Sequence, residues 1–371
     1  MNGSRRQPAV TIVDVARAAN VSRATVSRAL AGYGRIRPAT RDKVHAVAKE
    51  LGYRPNSLAR AMRAGRSATI GLIVTDIANP FFAQATKAVA STASELGYDV
   101  LVADTNEDEK AERRAIRVFV EKRVDGLIVV PAPGRPHDQL LDAAYAHAAS
   151  TPLVLLDRRR ADHHGASVTS DDFRSAVDSV SLLVSHGHTR IAMIDGNWAS
   201  PGFTSRRPRA LGSAAAERID GFREGLKRSG RSVRPGWMLY ASAREPYAAQ
   251  AAAASMLGEA DRPTALVTNN SDIALAVVTV CQKLGLEVGS DLSLITFDDA
   301  SWAAAFRPPI SAVARPVAQM GEAAVRELVA QIGGRPPSPP IVLTNDLIDR
   351  RSVGAPGGLS VRLPGGDAVP G

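Results

Sequence analysis

Short apolar runs typical of buried β-strands alternate with amphipathic helical stretches from Ala68 to about residue 352. The runs are TIGLIV, YDVLVA, GLIVV, LVLLD, RIAMID, ALVT, LSLITF and IVL, and about six helical stretches lie between them, among them Phe82 to Leu96 and Ala111 to Lys122. Alternation of buried strands with helices predicts parallel sheets joined by right-handed crossovers. About 285 residues exceed one comfortable core, so we expect two similar lobes.

Positive charge is confined to the amino-terminal end of the chain. Residues 1–66 hold 14 Lys or Arg against three acidic side chains, a net charge of +11. The other 305 residues hold 32 basic and 34 acidic side chains and are close to neutral. A basic segment joined to a neutral body is typical of a nucleic-acid-binding module, because neutralising phosphates releases counterions and drives association. A solvated basic tail is the alternative interpretation.

Several classes of protein are not expected from this sequence. The chain holds no run of about eighteen apolar residues, and its first thirty residues lack the apolar core of a secretion signal, so we expect no membrane partner. The one cysteine, Cys281, excludes an internal disulfide framework and favours the reducing cytoplasm. Because Cys281 lies in the apolar stretch IALAVVTVCQKLG, it is expected to pack in the core.

Motifs for enzymatic or cofactor chemistry are missing from the sequence as well. No G-x-G-x-x-G follows a strand, and neither a Walker loop nor a G-x-S-x-G elbow occurs. His163, His164, His186 and His188 form two short groups without companion ligands, so no metal site is expected. We therefore predict a protein that is not an enzyme and that uses no cofactor.

The basic segment predicts three short helices over residues 9–53. A first helix runs from Thr11 to Ala19 and begins with a capping-box arrangement. Asn20 accepts the left-handed conformation that a tight turn requires, and Ser22 caps a second helix. A third helix runs from about Thr40 to Leu51. Three short helices with such a turn indicate a helix-turn-helix domain.

The segments TIVDVARAANVSRATVSRAL, TRDKV and LGYRPNSLARAMR resemble the amino-terminal part of the lac/gal repressor family of transcriptional regulators. The resemblance covers residues 11 to about 352 and implies an N-terminal all-α helix-turn-helix domain followed by an α/β periplasmic-binding-protein-like body of two doubly wound parallel-sheet lobes. It divides the chain into a DNA-binding domain (9–53), a hinge helix and linker (54–67), an effector-binding and dimerisation body (68–352) and a disordered tail (353–371).

In this family the start of the second helix enters the major groove of DNA. The matching positions assign base readout to Arg23, Ala24 and Arg28. Arginine is suited to bidentate hydrogen bonds with guanine. The positions expected to contact phosphates are Thr11, Asn20, Thr25 and Ser27. Ordinary solvated helix residues are the alternative interpretation.

The segment that follows the third helix resembles a hinge that folds on DNA. It is too short to hold a helix alone in water. The resemblance implies minor-groove contacts through Asn56, Ala59 and Met62, with Met62 as the apolar wedge where the family generally has Leu. A plain linker is the alternative.

The resemblance places an effector in the cleft between the two lobes, beyond the carboxyl ends of the parallel strands. The residues that match cleft positions of the family are Phe81, Phe82, Asp157, Arg158, Arg218, Arg244, Asn270 and Asp298. Carboxylates and amides suit a ligand rich in hydroxyl groups, and aromatic rings suit an apolar sugar face. Helix capping, core packing and contacts between the lobes are alternative roles for these residues.

Three arginines bear on the charge of the effector. Arg158, Arg218 and Arg244 fall at cleft positions, the last of them in a gap-dependent alignment. Together they favour an anionic, sugar-like ligand such as a sugar acid or a phosphorylated sugar. Surface arginines in an Arg-rich chain are the other explanation.

We therefore predict a cytoplasmic transcriptional regulator, and a repressor in preference to an activator. It is expected to bind double-stranded, pseudo-palindromic operator DNA as a homodimer, with affinity modulated by a small sugar-like effector. A solute-binding protein of transport would share the body but would carry a secretion signal in place of the basic segment. An α/β enzyme would need an activated nucleophile or an acid-base pair, and the sequence shows neither.

Overall fold

The computed structural model describes residues 10–31, 34–53, 66–133, 139–148, 150–160, 163, 165–198, 202–208, 212–242, 245 and 247–357. The chain divides after Ser67 into a small amino-terminal unit and a large unit, which we call the body. The predicted hinge contacts Asn56, Ala59 and Met62, together with Arg244, lie outside the described residues.

The small unit contains the three expected helices, α1 (Ile12–Ala19), α2 (Arg23–Ala31) and α3 (Pro38–Glu50). Its core consists of small and β-branched side chains, namely Val15, Ala16, Ala19, Val26, Ala29, Val44 and Ala48. Helix α3 begins two residues before the expected start, because Pro38 occupies the first helical position, where its missing N–H costs nothing.

The turn between α1 and α2 has the conformation that the sequence predicts. Asn20 ends α1 with φ 52° and ψ 51°, in the left-handed region. The Asp14 carboxylate accepts from the Thr11 N–H at 2.9 Å and from the Thr11 hydroxyl at 2.7 Å. The Ser22 hydroxyl accepts from the Thr25 N–H at 3.1 Å, so the predicted cap of α2 is confirmed.

The body contains thirteen strands and nine helices within the residues that the structure describes. The strands are β1 (Thr69–Val74), β2 (Asp99–Asp104), β3 (Gly126–Val129), β4 (Leu153–Leu156), β5 (Ala166–Ser170), β6 (Ile191–Trp198), β7 (Phe203–Thr204), β8 (Met238–Ser242), β9 (Ala265–Thr268), β10 (Ser293–Phe297), β11 (Ser311–Ala314), β12 (Ile341–Leu343) and β13 (Asp346–Ile348). The helices are α4 (Pro80–Glu95), α5 (Glu109–Glu121), α6 (Gln139–His147), α7 (Asp172–Ser185), α8 (Ser213–Arg228), α9 (Ala248–Leu257), α10 (Ser271–Leu284), α11 (Ser301–Ala305) and α12 (Val317–Ile332).

Two sheets form the two expected lobes. The sheet of the first lobe has the order β12-β5-β4-β3-β1-β2, and all of its strands pair in parallel. The sheet of the second lobe has the order β13-β11-β10-β9-β6-β8-β7, with the edge strands β13 and β7 antiparallel to their neighbours. Two doubly wound lobes built on mainly parallel sheets are therefore confirmed.

The sequence pattern missed five strands of these sheets. They are β5, β7, β8, β11 and β13, which are two to five residues long. Segments such as ASVTS and SAVA carry Ser and Ala in place of the larger β-branched residues, so their hydrophobicity does not distinguish them from loops. Pairing with neighbouring strands, which is a tertiary effect, makes them part of the sheet.

The chain passes between the lobes at three points, which we call the three crossings. They lie between β5 and α7, between β11 and α12, and between β12 and β13. Each crossing leaves the carboxyl end of a strand. Side chains at the crossings therefore lie at the same sheet edges at which open α/β folds bind ligands.

The second lobe continues past residue 352, where the sequence placed the end of the body. Val353 is buried in the core of that lobe. The buried His188 donates from Nε2 to the Gly354 carbonyl at 2.9 Å and shares a hydrogen bond through Nδ1 with the Thr264 hydroxyl at 3.0 Å. His188 thereby fixes the last described segment of the body.

Cys281 packs in the core of the second lobe, as the sequence predicts, and burial raises the pKa of its thiol to about 12. Among the described residues, no helix has both the length and the apolarity required to cross a membrane.

Candidate functional site

The outward face of α2 presents two cations and a small residue. Arg23, Ala24 and Arg28 are exposed, whereas Val26 and Ala29 of the same helix are buried in the core. The helical repeat separates these two sets, because residues three or four positions apart share a face. The Arg28 Nε donates to the Ala24 carbonyl at 3.3 Å, which aligns its stem along the helix. The three residues predicted to read bases thus lie together on one accessible surface.

The residues predicted to contact phosphates lie mainly at helix ends. Thr11 precedes α1, and Thr25 lies in the first turn of α2, where its hydroxyl is 2.9 Å from the Ser22 hydroxyl. Asn20 is exposed in the turn, and Ser27 is half-buried. Helix amino termini carry free N–H groups and a partial positive charge, so they favour phosphate groups.

In the body, seven buried charged residues lie near the strand ends and the crossings. We call them the buried ion cluster: Glu107, Asp157, Arg158, Asp172, Arg218, Asp298 and Arg315. They hold three arginines and four carboxylates, so the cluster contains one carboxylate more than its arginines can neutralise. The sequence predicted Asp157, Arg158, Arg218 and Asp298 but missed the other three members.

Arg315 is the centre of the buried ion cluster. It directly follows β11 at the second crossing, and its side chain is 2% exposed. Its guanidinium donates to the Asp157 carboxylate and, from Nε, to the Ser170 hydroxyl at 3.1 Å. Its Nη1 is 3.5 Å from Asp298 Oδ1, and its Cζ lies 3.9 Å from the centroid of the Phe81 ring.

The other two arginines each have a carboxylate partner. Arg158 makes a bidentate pair with Glu107 at 2.7 and 2.8 Å and also donates to the Pro131 carbonyl at 3.1 Å. Arg218 donates to Asp172 at 3.2 Å and to the Asn269 carbonyl. Two of the three arginines that favoured an anionic effector are therefore already bound to carboxylates.

Asp298 is the most weakly paired carboxylate of the cluster, because its Oδ1 faces Arg315 Nη1 at 3.5 Å without a hydrogen bond. Burial raises the pKa of Asp298, although Arg315 and Arg218 act in the opposite direction. Burial acts in the same way on Asp157, but there the Arg315 and Arg158 guanidiniums outweigh it and lower the pKa. Asp298 Oδ1 is buried and accepts no hydrogen bond from the described residues. An incoming donor group would find this oxygen available.

The two aspartates occupy equivalent places in the two lobes. Asp157 follows β4 in the first lobe and Asp298 follows β10 in the second, and both have φ 66°. The left-handed conformation costs a residue other than glycine about 1 kcal/mol, and aspartate is one of the side chains that adopt it most readily. It turns both carboxylates towards Arg315.

Unsatisfied polar atoms are concentrated at this edge of the sheets. Five buried atoms near strand ends have no hydrogen-bond partner within the described part of the chain, namely Thr75 Oγ1, Arg218 Nε, Thr268 Oγ1, Ser271 Oγ and Asp298 Oδ1. Buried polar groups are normally hydrogen-bonded, so a group of exceptions calls for a missing partner. Hydroxyl groups, which both donate and accept, would match this mixed set.

The two predicted aromatic residues are both buried at the start of α4. Phe81 and Phe82 form an edge-to-face pair with centroids 5.0 Å apart and pack in the core of the first lobe. Phe81 also lines a small cavity of about 50 Å³ with Gln84, Asp298 and Arg315, whereas Phe82 packs inward beneath Arg158. Of the two rings, Phe81 thus borders the space between the lobes.

The adjacent asparagines have different roles. Asn270, the predicted ligand contact, caps α10 by accepting from the Ile273 N–H at 2.9 Å. Asn269 is fully buried, accepts from the Gly196 N–H at 2.9 Å and donates to Asp195 at 2.7 Å. Asn270 therefore keeps its amide N–H groups for other partners, while Asn269 ties β9 to β6.

The three missed members of the cluster had little signal in the sequence. Arg315 follows β11, the strand that the hydrophobic pattern did not detect. Asp172 and Glu107 resemble the ordinary acidic residues of helix starts and turns. If β11 had been recognised, an arginine directly after a buried strand would have been a usable signal, since arginines are rarely buried without a partner.

Comparison with known proteins agrees with this architecture. Residues 11–56 match the family described as bacterial regulatory proteins, lacI family, and residues 180–353 match a periplasmic binding protein-like domain. Catabolite control protein A of Priestia megaterium is 31% identical over 324 residues, which are 86% of this chain and 91% of that protein. The chain belongs to the lacI family of bacterial regulatory proteins.

Two solved structures of transcriptional regulators are similar over almost the whole chain. The lac repressor dimer bound to operator and the anti-inducer ONPF matches with a TM-score of 0.80 and 27% identity, covering 94% of this chain and 100% of that one. The complex of the transcriptional regulator CelR with cellobiose matches with a TM-score of 0.65 and 28% identity, covering 92% of this chain and 99% of that one. This lacI-family chain is therefore a DNA-binding transcriptional regulator and not an enzyme.

Beside the cluster, this regulator has a buried glutamate that holds the loop after β3. The Glu112 carboxylate accepts from the Ala132 N–H at 2.6 Å and from the Tyr145 hydroxyl at 2.6 Å. Burial raises the pKa of Glu112 to about 7, with both hydrogen bonds and two nearby arginines acting against the shift. The same loop receives Arg158 at Pro131, so Glu112 and Arg158 fix it together.

We expect Glu112 to make the stability of the body depend on pH. Because the folded state binds a proton more tightly than the unfolded state, this side chain stabilises the fold at low pH, and the gain falls as pH rises from about 4.5 to 7. The total is about 3 kcal/mol, from about 1.4 kcal/mol per pKa unit. Chemical denaturation of wild type and Glu112→Gln between pH 4.5 and 8 measures it as a change in their stability difference.

The same substitution at an exposed glutamate supplies the control. Glu322 pairs with Arg326 on the surface of α12, so Glu322→Gln is expected to follow wild type at every pH. A stability difference between wild type and Glu112→Gln that stays constant with pH would contradict a raised pKa at Glu112.

Proposed function

We propose that the protein is a repressor that binds a pseudo-palindromic operator in double-stranded DNA as a homodimer and changes its affinity when a sugar-like effector fills the inter-lobe cleft. The observation that carries the DNA-binding part is the joint exposure of Arg23 and Arg28 on one face of α2. The lac repressor structure that is similar to this chain is a dimer bound to operator, which supports the same binding mode here. A DNA target also supports a location in the cytoplasm.

The homodimer is supported by apolar side chains exposed on both lobes. Leu101 and Val102 are 38% and 42% exposed on β2, an edge strand of the first sheet. Leu275 and Leu284 are 48% and 44% exposed on α10 of the second lobe. Exposed apolar groups in an unpaired edge strand favour contact with another chain. A two-fold dimer presents two copies of α2 and therefore requires two half-sites.

An uncharged effector fits the cleft better than an anionic one. Each arginine of the buried ion cluster already contacts a carboxylate, and Asp298 Oδ1 accepts no hydrogen bond from the part of the chain that the structure describes. A neutral sugar brings hydroxyl groups for the unsatisfied atoms of Thr75, Ser271 and Arg218 without adding charge. The similar CelR structure holds cellobiose, which is a ligand of this chemical kind.

We expect Arg23→Ala and Arg28→Ala to relax sequence preference as well as to weaken binding. Loss of a bidentate arginine–guanine contact costs about 1–3 kcal/mol of discrimination at one base pair. Selection of bound sequences from random double-stranded DNA at fixed salt, with wild type and each variant, measures the preference. Lys49→Ala removes a charge from the end of α3 and is expected to lower affinity equally for all sequences.

An unchanged base preference in both arginine variants would contradict the assignment of readout to α2. Binding by the wild type that is salt-sensitive but independent of sequence would contradict the proposed operator recognition as a whole.

We expect Val102→Asp to convert the dimer into monomers, because a buried, unpaired carboxylate opposes association. Val342 offers a matched control, since it is 52% exposed on β12, the opposite edge strand of the same sheet. Val342→Asp should leave the dimer intact. Analytical ultracentrifugation of wild type and both variants measures the oligomeric state. Equal dimerisation by Val102→Asp and wild type would exclude β2 from the interface.

We expect Asp298→Asn to weaken effector binding by at least about tenfold, the effect of losing one hydrogen bond to a charged group. Calorimetric titration of neutral sugars beside their phosphate and acid forms identifies the binding class. Asp261→Asn is the control, because Asp261 is exposed and precedes β9, at the sheet edge opposite to the one where Asp298 follows the parallel strand β10. Preferential binding of the phosphorylated forms would contradict an uncharged effector.

A further inference from the structure

The two lobes contact each other directly at several places across the cleft. The Arg159 N–H of the first lobe donates to the Ser213 hydroxyl of the second at 2.7 Å, and the Arg159 guanidinium donates to Glu217. On another side of the cleft, Asn79 Nδ2 donates to Asp272 at 3.3 Å. The lobes are thus closed on each other by the protein's own side chains.

Most of these contacts are exposed and therefore weak. The Arg159 side chain is 44% exposed, Asp272 is exposed and Asn79 is half-buried. Exposed ion pairs add little to stability, because water competes for both partners and long side chains must be ordered. They can complete a closed arrangement, but they do not explain what keeps the lobes together.

Arg315 differs from these contacts in burial and in the number of its partners. Its side chain is 2% exposed, and that of Asp157 is 4% exposed. One end of its guanidinium binds Asp157, which follows a strand of the first lobe, while Nη1 faces Asp298 of the second lobe at 3.5 Å. No solvent screens this arrangement, so its attraction is stronger than that of a surface pair.

The three crossings are joined through the same side chain. Arg315 itself lies on the second crossing and donates to Ser170 at the first. Asp172, on the first crossing, is 3.5 Å from Arg315 Nε and accepts from Asn345, on the third crossing, at 3.3 Å. The guanidinium therefore links both lobes and all the segments about which one lobe would turn relative to the other.

We propose that Arg315 is an internal counter-ion that occupies the carboxylates of both lobes and holds the cleft closed when no effector is bound. The cation joins the two lobes at the sheet edges where open α/β folds bind ligands. Closure is then the resting state of this protein, and an effector acts on a cleft that is already closed. Closure by Arg315 involves the body alone and requires neither operator DNA nor an identified effector.

Distance measurements between spin labels on the two lobes test the proposal. Lys110 and Ser301 are exposed. Lys110 is the second residue of α5, which follows a strand of the first lobe, and Ser301 is the first residue of α11, which follows a strand of the second. Cysteines at these two positions would carry the labels, because Cys281 is buried and its thiol pKa is raised to about 12. The full chain is freed of co-purified ligand by unfolding and refolding, and mass spectrometry checks that none remains.

The labelled chain is mixed with an excess of unlabelled chain, so that most dimers carry labels on one protomer only, and the ligand-free wild type is then expected to give one short distance between the labels. Arg315→Gln is expected to shift the main distance to longer values and to broaden it. Arg350→Gln is the matched control, since Arg350 makes a bidentate pair with Asp299 at 2.7 and 2.8 Å within the second lobe alone. It should keep the short distance of the wild type.

A double variant separates bridging from charge repulsion. Arg315→Gln leaves the cluster carboxylates without their central cation, and Asp298→Asn then removes one of the excess charges. If Arg315 bridges the lobes, the double variant remains open like Arg315→Gln. Return of the double variant to the short distance would overturn the proposal, and so would a long distance in the ligand-free wild type. The wild-type result holds even if a variant does not fold, which circular dichroism would reveal.

Discussion

The body depends on the burial of one arginine at the point where the chain passes between its lobes. Arg315 neutralises carboxylates from both lobes and is hydrogen-bonded to the first crossing. Removing one partner from such a buried pair typically costs about 3–5 kcal/mol, because the remaining charge keeps its desolvation penalty. Few substitutions at this position could preserve both the charge and the reach of a planar guanidinium.

The same cluster explains which polar groups remain available to bind a ligand. Three arginines meet four carboxylates, so one carboxylate stays without full compensation, and burial raises the pKa of Asp298. The unsatisfied atoms of Thr75 and Ser271 lie shortly after β1 of the first lobe and β9 of the second. A parallel sheet brings the carboxyl ends of its strands to one edge, and polar groups that the fold itself does not satisfy gather there. The order and direction of the strands therefore form the cleft, and individual side chains then determine its chemistry.

Much of this could be predicted from the sequence, and the successes share a physical cause. The cap at Ser22, the left-handed turn at Asn20 and the burial of Cys281 follow from local geometry or from apolar surroundings, which a short segment reveals by itself. Strands were missed where their side chains were small or polar, as in β5 and β11. Missing β11 also concealed Arg315, because a charged residue becomes informative only when its neighbours are known to be buried.

What the sequence by itself determined is the division of the chain. A charge of +11 over residues 1–66 and an alternating apolar pattern beyond them specify a basic helical head and a two-lobed α/β body. Only the tertiary structure decided which charges neutralise one another. Arg158 pairs with a glutamate 51 positions away and Arg315 with an aspartate 158 positions away. Local pattern cannot contain such pairings, because they depend on which strand ends the finished sheets bring together.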